Sequence, residues 1–81
     1  MNEITTATGK SFNCVHCVPH KPSNSVYFCI KGEEKETLEK VFSDPAETAV
    51  LTYPGQKYEG YTTLDYIEEE DDGVWKLRMK A

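Results

Sequence analysis

The seven residues Val74-Trp75-Lys76-Leu77-Arg78-Met79-Lys80 constrain the fold more than any other stretch of this chain. Apolar and basic side chains alternate along it, and successive side chains of a β-strand point to opposite faces. Trp75, Leu77 and Met79 therefore belong to a core, and Lys76, Arg78 and Lys80 to solvent. Directly before them stands Glu70-Asp71-Asp72-Gly73, a hairpin turn in which the Asp-Gly pair accepts the positive φ such turns require. A strand with one buried face, entered through a tight turn, demands an antiparallel partner on its N-terminal side. The fold must be built around a sheet.

Turn signals divide the remaining chain into segments that mostly favour strands. Ile4–Thr8 is short and threonine-rich. Ser11–Val18 alternates loosely and is expected to stop at Pro19, with Pro19–Ser25 a loop, because proline cannot donate to a ladder. Val26–Lys31 is dense in β-branched and aromatic residues and reads as a central strand. The period then changes. Leu38, Val41 and Phe42 recur at helical spacing, which predicts a helix over Glu33–Ser43 whose stripe must pack on the sheet. Asp44-Pro45-Ala46-Glu47 carries a helix-start signature of its own. So few residues separate Pro45 from Pro54, however, that Thr48–Tyr53 reads as a strand. Tyr58–Glu69 reads as one long strand with Gly60 as a bulge. The expected architecture is α+β and mostly β: about six antiparallel strands in a curled sheet or small barrel, with one short helix between the third and fourth. All 81 residues form a single domain.

Charge narrows the partners. The net charge of −5 counts against nucleic acid and anionic membrane surfaces, which both need clustered Lys and Arg. No apolar run is long enough for a bilayer span. The N-terminal residues carry neither the basic nor the apolar region of a secretory signal, and three cysteines is an odd count. The expectation is a cytoplasmic location with reduced thiols.

Chemistry concentrates in Cys14-Val15-His16-Cys17-Val18-Pro19-His20, followed by Cys29. Cys14, Cys17, His20 and Cys29 supply four zinc-ligand types, and structural zinc takes four in a tetrahedron. A regular strand opposes this, since residues three apart then face opposite sides and Cys14 and Cys17 diverge. Free cysteine also behaves as a small buried hydrophobe, which is the simpler reading. If Ser11–Val18 pairs with Val26–Lys31 symmetrically about Lys21-Pro22, Cys14 falls opposite Cys29, and His16 opposite Tyr27. A redox role for the two cysteines would need a helix after the first, and none is expected. A Cys14–His16 dyad lacks a third orienting group and an oxyanion donor. The acidic run Glu68–Asp72 lacks the ligand spacing of a calcium loop and reads as a solvated turn. No catalytic residue is therefore assigned. Tyr53, Tyr58, Tyr61 and Tyr66 are four of the chain's five tyrosines. They serve cross-strand packing, or a contact face of the kind tyrosine favours at interfaces.

Ile4-Thr5-Thr6 through Gly9-Lys10-x-Phe12, then Tyr58-Glu59-Gly60-Tyr61-Thr62-x-Leu64, then Val74-x-Lys76-Leu77, form an arrangement of strands and turns along most of the chain. It resembles that of small, uncharacterised β-rich proteins encoded in prophages of Firmicutes. The resemblance implies a phage origin and a role in or near the virion, at the tail or its assembly, and it implies no catalytic residues. The cysteine segment is not part of it. Together these readings predict a non-enzymatic interaction or assembly module, in a bacterial cytoplasm or on a virion, with a protein partner or self-association and no cofactor. The alternative is a small zinc-binding domain using Cys14, Cys17, His20 and Cys29.

Overall fold

The computed structural model describes residues 2–81. Seven strands form one antiparallel sheet: β1 (Glu3–Thr5), β2 (Ser11–His20), β3 (Ser25–Lys31), β4 (Val50–Tyr53), β5 (Gln56–Glu59), β6 (Thr63–Asp71) and β7 (Val74–Lys80). Their order in space is β5-β4-β1-β2-β3-β7-β6. Two helices, α1 (Lys35–Phe42) and α2 (Pro45–Thr48), lie between β3 and β4. The α+β, mostly β architecture expected from the sequence is the one observed.

Curvature follows from the connectivity. β5 and β6 are the two edges, yet only Gly60, Tyr61 and Thr62 lie between them in the chain. Seven flat strands would hold their edges about 29 Å apart at the usual spacing. The four residue steps from Glu59 to Thr63 reach at most about 14 Å. The sheet must curl until its edges approach. Tyr58 on the β5 edge accordingly meets Phe28 on β3, with ring centroids 5.8 Å apart and planes at 81°. The two edges do not pair, so the barrel stays open.

The concave face holds the core, in which Ile4, Phe28, Ile30, Leu51, Leu77 and Met79 are fully buried. Leu38, Val41 and Phe42 from α1 enter the same cluster, and Phe42 lies 5.7 Å from Phe12 between ring centroids. Eight residues make a helix too short to persist alone, so α1 exists through this contact. On β7 the alternation is as expected: Leu77 and Met79 are buried, Trp75 packs against the core, and the basic residues face outward.

Four details differ from the sequence reading. Tyr58–Glu69 is two strands, because Gly60 takes a φ of 84° and turns the chain from one edge to the other. The strand expected from Thr48 starts at Val50, since Asp44 does cap a helical turn by accepting the Ala46 amide at 2.9 Å. Of the Asp-Gly pair before β7, only Gly73 has positive φ. Finally, β2 does not stop at Val18 but runs through Pro19 to His20, and Lys21–Ser23 forms a single 3-10 turn before β3. Proline is tolerated there because that part of β2 has a neighbour on one side only.

α2 is tied to the β1–β2 turn by a charged contact. Glu47 is buried and accepts from Thr6 Oγ1 at 2.8 Å, from Thr8 Oγ1 and from Lys10 Nζ. The Lys10 hydrogen bond, with those of the two threonines, holds its carboxyl down at about 2.

Candidate interaction cleft

The cysteine segment is organised by a bulge. β2 pairs with β3 as Cys14↔Ile30 and then His16↔Cys29, so Val15 is the extra residue. The expected symmetric register, with Cys14 opposite Cys29 and His16 opposite Tyr27, is not the one formed. Two things move it. The turn is centred past Lys21-Pro22, with His20 opposite Ser25, and the bulge then shifts the pairing by one residue. The same extra residue reverses the expected facing of the cysteines. Cys14, 1% exposed, sits in the core, and Cys17, three residues on, packs against that core from the same face.

All three cysteines are free thiols. Cys14 donates to the His16 carbonyl at 2.9 Å; burial, with Cys17 nearby, pushes its thiol up to about 12. Burial also raises Cys17, whose Sγ donates to Tyr58 Oη at 3.3 Å. Cys29 faces the opposite, convex side, in a cross-strand row with His16, Lys76 and Glu68. Its Sγ donates to Glu70 Oε2 at 3.4 Å, and burial and that carboxylate push it up to about 11. None of these environments favours a thiolate near neutral pH. His20 stands apart at the end of β2, its Nδ1 2.5 Å from Ser23 Oγ. The four residues of the zinc reading are thus divided between two faces and a strand end. Among the described residues, no group of three or more His, Cys, Asp or Glu side chains is placed to hold a metal ion.

The tyrosines are also divided. Tyr66 lies on the convex face opposite Arg78, and burial raises its phenol. Beside it Tyr27, the tyrosine not singled out from the sequence, lies under two cations: Lys76 Nζ at 4.9 Å and Arg78 at 5.8 Å from the ring centre. Asp65 pairs with Arg78 at 2.9 Å and Lys80 at 3.7 Å, and Glu68 stands opposite Lys76.

Tyr53, Tyr58 and Tyr61 come together instead at the mouth of the open barrel. They line a cleft of about 670 Å³ with Cys17 and Pro19 of β2 as the opposite wall. Tyr58, 8% exposed, forms the floor; its ring meets that of Tyr61 edge-on at 6.1 Å. Burial, with the Cys17 thiol next in effect, raises the Tyr58 phenol, which stays protonated at neutral pH. Tyr53 Oη accepts from Asn2 Nδ2 at 3.0 Å, which orients its ring at the rim. Pro54 stiffens the β4–β5 turn beside it, and Lys21, Lys57 and Glu59 are the charged residues of the lining.

The cleft is therefore aromatic and rimmed by polar groups, with the Cys17 thiol donating to Tyr58 at its wall and the Glu59 carboxylate in its lining. Sequence reasoning singled out the three tyrosines but missed Cys17, Pro19 and Lys21 as their counterpart wall. The only local signal for these was a proline inside a strand pattern. Compared with known proteins, the chain matches no family model, no curated protein and no solved structure.

Proposed function

We propose that this chain is a non-enzymatic interaction or assembly module that engages a protein partner through the cleft of Tyr53, Tyr58 and Tyr61. One observation carries this reading: three tyrosines from β4, β5 and the link to β6 converge on one open cleft of about 670 Å³. Tyrosine supplies large, stiff contact area at low entropic cost, and its hydroxyl stays usable at a wet rim. The resemblance to prophage-encoded proteins adds the expectation that the partner belongs to a virion, at the tail or its assembly.

The test is site-specific photocrosslinking in cells that carry the gene. A benzoylphenylalanine in place of Tyr61 should give one discrete protein adduct, identified by mass spectrometry. The same probe in place of exposed Glu36 on α1 should not. Identical adducts from both positions, or none from Tyr61, would refute the reading.

A further inference from the structure

The cleft has a wall made of backbone. β1 pairs with β2 only over Ser11–Asn13, and the last bond on that side joins the Cys14 amide to the Asn2 carbonyl at 3.0 Å. Beyond the Val15 bulge, β2 has β3 as its one neighbour. In an antiparallel ladder, alternate pairs exchange hydrogen bonds, and the pairs between them turn both backbone groups outward. Pro19, opposite Val26, has no N–H and fits the outward position. Cys17, two residues earlier and opposite Phe28, then shares that orientation. Its N–H and C=O, and the Pro19 C=O, point away from β3 and toward the cleft. Among the described residues, no hydrogen bond reaches these groups from that side.

An open edge beside an aromatic floor is the arrangement that takes an added strand, with main-chain bonds for affinity and side-chain contacts for specificity. The Val15 bulge and Pro19 bound this edge on both sides, so it suits a short segment and resists indiscriminate sheet growth. Charge selects among such segments. The cleft is lined by two lysines, Lys21 and Lys57, and one glutamate, Glu59, whereas the whole chain carries −5. The local surplus is positive.

We infer that the free edge of β2 at Cys17–Pro19 binds an extended, acidic peptide segment of a partner protein by strand addition. Alternate apolar side chains of the segment lie on Tyr58 and Tyr61, and its carboxylates meet Lys21 and Lys57. This inference rests on the interaction role proposed above and names the chemistry of the partner.

The test is an NMR titration of the ¹⁵N-labelled full chain with a capped hexapeptide alternating glutamate with valine. The expected result is a saturable shift of the Cys17 amide together with Tyr61, with Kd at or below about 1 mM. Replacing the peptide's glutamates with lysine should weaken binding about fivefold or more, because attraction to two lysines becomes repulsion. N-methylating the peptide amide that faces Cys17 should weaken it about threefold or more by removing one main-chain bond. The inference is overturned by an unmoved Cys17 amide, by lysine or N-methyl peptides that bind equally well, or by Cys17 shifts that depend on protein concentration alone. The last result would assign the edge to a second copy of the chain. If Tyr61 crosslinks to a partner while Cys17 stays silent here, strand addition fails and the interaction role stands.

Discussion

Removing the Phe42 ring tests whether α1 is held by the curled sheet. Phe42 is 0% exposed and lies against Phe12. Phe-to-Ala changes in cores cost about 3–5 kcal/mol, combining lost transfer energy with the cavity left behind. At ordinary stabilities per residue, a chain of this size has about 4–12 kcal/mol in all. The substitution Phe42→Ala therefore removes about a quarter or more of the total. With a urea m-value of about 1.5 kcal/mol/M, the midpoint should fall by about 2–3 M. Phe12→Ala in a double-mutant cycle should show coupling of about 0.5–1.5 kcal/mol, the range for aromatic pairs. Val18→Ser, at a side chain 51% exposed, should stay within about 0.5 kcal/mol of the parent. Should Phe42→Ala not fold, Phe42→Leu gives a smaller step, below about 1.5 kcal/mol. A loss under about 1 kcal/mol for Phe42→Ala, or no coupling to Phe12, would refute the packing argument.

Three further outcomes follow from the same structure. Glu47 is held at about 2 against an ordinary 4.5 by Lys10, Thr8 and Thr6. A depressed carboxylate stabilises the fold above its unfolded pKa, and that contribution is lost as pH falls through the folded value. Acid melts should therefore lose stability between about pH 5 and 2, and Glu47→Gln should flatten this slope; an unchanged slope counts against the contact. In native alkylation at pH 8 followed by mass spectrometry, the half-buried Cys17 should react before Cys29 and Cys14, whose thiols are pushed up to about 11 and about 12. Modification of Cys14 first would contradict its placement in the core. Gly60 turns the chain at a φ of 84° with open space around it, so Gly60→Ala should cost about 1–2 kcal/mol through backbone strain alone. A thermal melt indistinguishable from the parent would show that the link tolerates another path.

The features legible along the chain are those whose information is local. The strict alternation of β7, the α1 stripe of Leu38, Val41 and Phe42, and the hairpin at Gly73 depend on residues close along the chain. Periods of two and 3.6 are set by backbone geometry, so these elements can be read without knowing their partners. The tyrosine surplus was legible as composition, but not its division into three residues at the cleft and Tyr66 on the convex face. Tertiary structure decided the rest, because it turns on which distant strands pair and in what register. Whether Cys14 and Cys17 share a face depends on one extra residue, Val15, opposite β3. A slip of one residue sends a side chain to the other face of a sheet. Whether Pro19 ends a strand or lies within one depends on the β1–β2 ladder reaching no further along β2 than Glu3 opposite Asn13, which leaves the Pro19 flank of β2 unpaired. The cleft itself exists because a three-residue link forces the two sheet edges together, a constraint of chain length against sheet width that no single segment contains.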